Sequence, residues 1–189
     1  MIHCLDKKPL QGLPLQQVKD FLRVSHGEDD ALLETLLAAA VESLEHYLER
    51  SLEIQTFCFS FAPNPFTNSG VALNQYPYKI LPGRMVLKMP YAPLVSVEEV
   101  SFLGEGDQPQ LLPLKKVSLH RTGLLVLELP WAKELKITFK AGYETLPATL
   151  KVALLKCVAA YYEQGGEARD FFASPEMKAL VLPYKKRRL

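Results

Sequence analysis

The stretch Leu135–Gly166, LKITFKAGYETLPATLKVALLKCVAAYYEQGG, decides how this chain is read. Ile137 and Phe139 alternate with polar neighbours, the period of a half-buried strand. Ala141-Gly142-Tyr143 then turns the chain, and Pro147 opens an amphipathic helix. Leu150, Ala153, Leu154, Cys157, Val158 and Tyr161 fall on one face of that helix, with Lys151 and Lys156 off it, and Gly165-Gly166 stops it. The segment holds no nucleophile–base pair, no metal-ligand spacing and no phosphate loop. It reads as a junction where a β region returns to a helical scaffold.

Upstream the same scaffold has a second long helix. Leu33, Leu36, Leu37, Ala40, Val41, Leu44, Tyr47 and Leu48 keep the i, i+3, i+4, i+7 spacing and predict a helix over 28–50. Glu28, Asp29 and Asp30 occupy its expected first turn, where the helix dipole favours negative charge. Ala38-Ala39-Ala40 permits close approach of another helix. A shorter helix is expected to begin at Pro14, with Leu15, Val18, Phe21 and Leu22 on one face, and to break at Ser25 or Gly27. A last short helix is expected over 175–182, ahead of Pro183 and the basic end KKRRL.

Between these helices the residues are β-branched, aromatic and punctuated by proline. Short strands are expected over 54–61, 85–89, 95–103, 111–119, 123–129 and 135–140. Prolines 82, 90, 93, 109, 113 and 130 suit edge-prone strands of a small sandwich or barrel. GEGD, residues 104–107, is the best hairpin turn, APNPFTNSG a loop, and Trp131 a packing residue at a strand entry. The expected fold is α+β: a helical core of about four helices, residues 1–52 and 145–189, carrying an inserted small antiparallel β domain, residues 53–144.

Bulk composition bounds the function without choosing it. The 189 residues are 48% hydrophobic and 23% charged, with a formal net charge of +1. That gives no overall bias towards nucleic acid or membrane. The charge is unevenly placed: eight carboxylates against the single base Arg50 from Glu28 to Glu53, and five bases with no acid from Lys178 onward. Such an acidic helix and basic tail are complementary, within one subunit or between neighbours. No apolar run reaches the roughly 18 residues of a membrane span. Cys4, Cys58 and Cys157 lack CxxC spacing and read as small hydrophobes in a reducing compartment, so a soluble cytosolic protein is expected.

The search for chemistry returns little. His3, His26, His46 and His120 have no paired spacing, and His46 falls on the long acidic helix. No serine sits in GxSxG or SxxK, and no glycines form GxGxxG or a P-loop. No catalytic residue, metal site or cofactor is expected. The end of the chain is the candidate partner-binding segment: apolar Leu180, Leu182 and Tyr184 run into Lys185, Lys186, Arg187 and Arg188, a pattern that docks and orders on a partner. Phosphate contact by this tail, in a nucleic-acid-binding module, is the alternative reading.

Three pieces in a fixed order resemble a known family: VKDFLRVSHGEDDALLETLLAAAVESLEHYLERSLEIQTF, PYAPLVSVEEVSFLGEGDQPQLL and LPWAKELKITFKAGYETLPATLKVALLKCVAAYYEQGG. Their order and spacing are similar to the head–tail connector (adaptor) proteins of tailed bacteriophages, also found in prophages and gene transfer agents. The resemblance covers roughly Val18 to Gly166. The 61–85 stretch is longer and more proline-punctuated than the family pattern. The resemblance implies a non-enzymatic subunit that forms a ring of about a dozen copies below the portal at the DNA-exit vertex. It implies portal above, a stopper or tail-completion protein below, and DNA passing through the channel without sequence-specific contact. The expected location is the virion head–tail junction, with the host cytoplasm before assembly. On this reading Glu28, Asp29, Asp30, Glu34, Glu42, Glu45 and Glu49 are subunit-interface candidates, and residues 180–188 dock the portal.

Overall fold

A computed structural model describes residues 1–63, 78–104, 106, 108–120, 124–129, 132–164 and 171–185. The chain divides into two compact units, one from Lys8–Glu53 with Tyr143–Lys186 and one from Met1–Lys7 with Ile54–Gly142. The first is helical and the second is β, so the fold is α+β as expected.

In the helical unit, α1 spans Leu15–Leu22, α2 Asp30–Leu48, α3 Ala148–Glu163 and α4 Pro175–Val181. The predicted stripe on α2 is the one that goes inside: Leu33, Ala40, Leu44 and Leu48 are buried, and Leu36, Leu37, Val41 and Tyr47 pack at the margin. They share one core with Leu150, Ala153, Leu154, Cys157 and Val158 of α3. Each fully buried leucine contributes about 1.5–3 kcal/mol of apolar transfer. Ala40 faces this core, while Ala38 and Ala39 face solvent.

Two helix ends differ from expectation. α1 stops at Arg23 rather than at Ser25 or Gly27, because Arg23 takes the left-handed conformation (φ 59°) and its N–H returns to the last turn. Glu49 ends α2 in the same way (φ 53°). Such caps usually fall to glycine, so both residues hold a conformation that a Cβ disfavours. α3 ends at Glu163. The Gly165-Gly166 stop expected there lies outside the described residues, as do Trp131, the loop over 64–70, and Glu105 and Asp107 of the GEGD turn.

The β unit is two antiparallel sheets over one apolar core. The strands are β1 Ile2–Asp6, β2 Gln55–Phe61, β3 Tyr78–Leu81, β4 Arg84–Lys88, β5 Leu94–Leu103, β6 Pro109–Leu111, β7 Val117–Leu119, β8 Leu124–Leu127 and β9 Glu134–Ala141. One sheet runs β1-β2-β9-β5-β6 and the other β3-β4-β8-β7. On β9, Leu135, Ile137, Phe139 and Ala141 are buried between outward neighbours, the alternation read from the sequence. Met85 and Leu87 of β4 face Leu125 and Leu127 of β8 in the same core. Phe57 stacks on Phe139 at 5.6 Å and on Tyr91 at 4.5 Å.

Three strand assignments are corrected. The single strand expected over 111–119 is β6, a 3-10 turn over Leu114–Lys116 and β7. These two strands belong to different sheets. Pro113 is the physical reason, since it has no N–H to give to a ladder and starts the turn instead. β1 and β3 were not expected at all. Because β1 pairs with β2 (Ile2 opposite Phe59, His3 opposite Cys58), residues 1–7 are part of the β unit, not of the helical segments.

The junction quoted at the outset is a real crossing point. Gly142 is buried at φ 139°, a region closed to side chains, and its N–H donates to the carbonyl of Pro93 at 2.9 Å. One residue later Tyr143 forms a parallel bridge with Glu53. The chain therefore leaves and re-enters the helical unit side by side, and this geometry requires the glycine of AGY.

Candidate assembly surfaces

The acids that the sequence groups together divide by what they touch. Asp29 sits at the N-cap of α2 but makes no side-chain capping bond. Its Oδ2 accepts instead from the hydroxyl of Tyr162 on α3 at 2.6 Å, with His26 Nε2 at 3.9 Å. Asp30 Oδ1 pairs with Lys19 Nζ of α1 at 2.6 Å. These two acids stand at the helix start, as the dipole favours, and also tie α2 to its neighbouring helices. The bond to Asp29 pushes the Tyr162 hydroxyl above its ordinary range, because ionising it would place two negative charges together.

Glu45 and Glu53 satisfy backbone instead. Glu45 Oε1 accepts from Leu52 N at 2.7 Å, holding the chain as it leaves α2. Glu53 Oε1 accepts from both Gln11 N and Gly12 N at 2.8 Å, which fixes the approach to α1. A Cβ on Gly12 would come within 3.1 Å of Leu146 Cβ, so a larger residue there would press on Leu146. The side chains of Glu28, Glu34, Glu42 and Glu49 are exposed. Of the seven acids named as interface candidates, Asp29, Asp30 and Glu45 hold the subunit's own fold together.

Sequence reasoning did not pair Arg50 with Tyr143. Burial raises the Tyr143 hydroxyl, and the neighbouring Arg50 opposes that rise through charge and a hydrogen bond. The Nε of Arg50 is buried without a partner among the described residues. The signal was available, since Arg50 is the single base in a run of eight acids.

The C-terminal segment is partly built into the helical unit. Ser174 caps α4 by accepting from Met177 N at 3.4 Å, and Met177 and Val181 are buried. Leu180 and Tyr184 pack against the core, whereas Leu182 is 62% exposed. Lys185 Nζ lies 4.0 Å from the centroid of the Tyr47 ring on α2. This contact is with an aromatic ring of α2, not with one of its acids. Lys186, Arg187 and Arg188 lie outside the described residues.

A groove of about 260 Å³ runs between the end of α1, the outer face of α3 and α4, lined by Phe21, Ala160, Phe171 and Met177 with Lys156 and Glu176. Its one hydroxyl, Ser174, is engaged in capping. Among the described residues no three histidine, cysteine or acidic side chains converge on a point that would hold a metal ion. No helix among them is long and apolar enough to cross a membrane. Cys58 and Cys157 are buried, Cys4 is exposed, and burial pushes the Cys157 thiol up to about 11, so it is unreactive near neutrality.

A helical unit and a double-sheet unit, with Asp29, Asp30, Glu45 and Glu53 directed at backbone and neighbouring helices, define the class as an α+β protein. Comparison with known proteins narrows the class. Residues 13–73 match the family model described as phage gp6-like head-tail connector protein. The fold matches a chain in the neck of an empty GTA particle computed with C6 symmetry, at TM-score 0.73 and 19% identity, over 100% of this chain and 97% of that one. It also matches a chain of the virion of a native gene transfer agent particle (TM-score 0.73, 20% identity) and one of the neck of a native GTA particle computed with C12 symmetry (TM-score 0.70, 20% identity). Both matches have the same coverage. No curated protein matches the chain. The family model matched over residues 13–73 is the one the sequence pattern resembles, and the solved structures share the fold of the whole chain.

Proposed function

We propose that this chain is a structural head–tail connector subunit, a ring component at the neck of a phage-like or gene-transfer-agent particle that joins the capsid to what lies below it. The observation that carries this reading is the end-to-end likeness of its fold to a neck subunit, since it includes the β unit as well as the helices matched by the family model. The neck structures with sixfold and twelvefold symmetry support a closed ring, in which modest contacts repeated around the circle add up. The relatives are structural virion components, and the subunit acts by binding, with no reaction of its own.

Within this function the ring attaches to the portal above and receives a stopper or tail-completion protein below. About a dozen subunits surround a channel through which DNA passes without sequence-specific contact. Exposed Glu28, Glu34, Glu42 and Glu49 meet basic groups of the neighbouring subunit, while Asp29, Asp30 and Glu45 keep each subunit in shape. Leu180, Leu182 and Tyr184, with the bases Lys185, Lys186, Arg187 and Arg188, dock the portal. The subunit waits in the host cytoplasm until heads are ready. Mixing the purified chain with its portal tests this: a complex carrying a full ring of subunits is expected by mass measurement. Portal and chain migrating separately at micromolar concentration would overturn it.

A further inference from the structure

The five-stranded sheet ends in two open edges, β1 on one side and β6 on the other. Every neighbour pairing between them is antiparallel, and there are four, so the two edge strands run in the same direction. Ser60 N–H donates to the Met1 carbonyl at 2.9 Å, and the Met1 amine donates to the Ser60 carbonyl. His3 therefore faces Cys58 in the same manner, and the N–H and carbonyl of Cys4 point away from the sheet. Leu112 N–H donates to the Val100 carbonyl at 2.8 Å. By the same alternation Gln110 faces β5, while the Pro109 carbonyl and the Leu111 N–H point outward. Cys4 lies opposite Phe57 and Gln110 opposite Phe102, so both side chains are on the core-facing side of the sheet. Each edge also carries an exposed leucine, Leu5 at 60% and Leu111 at 67%.

We infer that β6 of one copy pairs in parallel with β1 of the next, with Gln110 opposite Cys4, so that the five-stranded sheets join around the ring. The inference rests on the ring proposed above. In a parallel ladder the residue that faces the neighbour gives its N–H to the residue before the one opposite and accepts from the residue after it. Cys4 N–H thus meets the Pro109 carbonyl, and Leu111 N–H meets the Cys4 carbonyl. Pro109 is asked only for a carbonyl, the one backbone group it has to offer. The core-facing sides stay aligned across the joint, whereas antiparallel pairing of these edges would turn one sheet over. Leu5 follows Cys4 and Leu111 follows Gln110, so this register also sets the two exposed leucines side by side. Because the two halves of the contact are different surfaces of one chain, a rotation repeats it from copy to copy. Five strands advance the sheet by ~24 Å per copy, and a dozen copies enclose a circle ~90 Å across.

Gln110→Cys places a thiol opposite Cys4 at the ~4.8 Å separation of neighbouring strands, which a disulfide spans. Cys4 is exposed, and Cys58 and Cys157 are buried. Assembled on purified portal and mildly oxidised, this variant is expected to give a ladder of linked copies on a non-reducing gel, up to the full ring. Adding Cys4→Ser is expected to abolish the ladder. A full ring by mass measurement with no ladder overturns the edge pairing, and so does a ladder that survives Cys4→Ser. A wild-type chain that forms no ring on portal overturns the ring itself and the pairing with it. Should Gln110→Cys fail to assemble where the wild-type chain does, Leu111→Pro decides. It removes the outward N–H and leaves the bonds of Gln110 and Leu112 to β5 in place. The chain concentration for half-maximal ring formation is expected to rise about two- to ten-fold, with circular dichroism unchanged. An unchanged concentration overturns the pairing.

Discussion

The β unit joins its strands into two hydrogen-bonded sheets and packs Phe57, Met85, Leu87, Leu125, Leu127, Ile137 and Phe139 into one core. The helical unit cannot do the same, because every helix leaves unpaired N–H and carbonyl groups at its ends. It uses carboxylates there: Glu53 holds the loop before α1 and Glu45 the exit from α2, while Asp29 and Asp30 tie α2 to Tyr162 and Lys19. One unit is held mainly by dry packing and the other by packing with charged fasteners. Identical composition rules therefore give two different sensitivities.

Core truncation should separate them most strongly. Phe139→Ala removes a fully buried ring in the β unit and is expected to cost about 3–5 kcal/mol. The measurement is urea unfolding followed by Trp131 fluorescence alongside helical circular dichroism. A fluorescence midpoint that falls while the helical transition stays put shows units that unfold separately. A joint shift shows one cooperative fold, and no shift contradicts the packing account. Glu53→Ala is the counterpart in the helical unit. It leaves the N–H groups of Gln11 and Gly12 without their carboxylate, for an expected loss of about 1.5 kcal/mol. Here the circular dichroism midpoint should move; an unchanged midpoint would show that water serves those groups as well.

The smallest effect at neutral pH concerns titration. Tyr143, Cys157 and Tyr161, pushed upward mainly by burial, and Tyr162, pushed upward by its bond to Asp29, all lie in the helical unit. Each holds its proton more tightly folded than unfolded, so its contribution is complete below the unfolded value and lost as pH rises through the folded one. Alkaline titration should therefore weaken the helical signal from about pH 9, with Cys157 lost near 11. Tyr162→Phe should flatten that limb. In the β unit Glu98 shifts the other way, held down by Ser96 and Lys140, and takes no part in this window. A β unit that fails first in alkali would reverse the contrast.

What could be read from the residues follows the same division. β9 and the stripe on α2 were legible because local period and burial agree there. β1 was not, because its residues are mostly exposed and backbone pairing to β2, fifty positions away in sequence, is what makes it a strand. β3 escaped because Pro77 and Pro82 flank it and make its short alternation look like loop. Asp29 shows how a local rule is incomplete: an acid at a helix start suits the dipole, and this one also bonds Tyr162, far beyond any local window. Lys185 was legible as part of a basic tail, and its place over Tyr47 was not.

Interrupting this chain in the organism that makes the particles tests the central claim most directly. The account predicts capsids and tails that accumulate unjoined, restored to whole particles when the chain is supplied again. Particles with tails attached in its absence would contradict it.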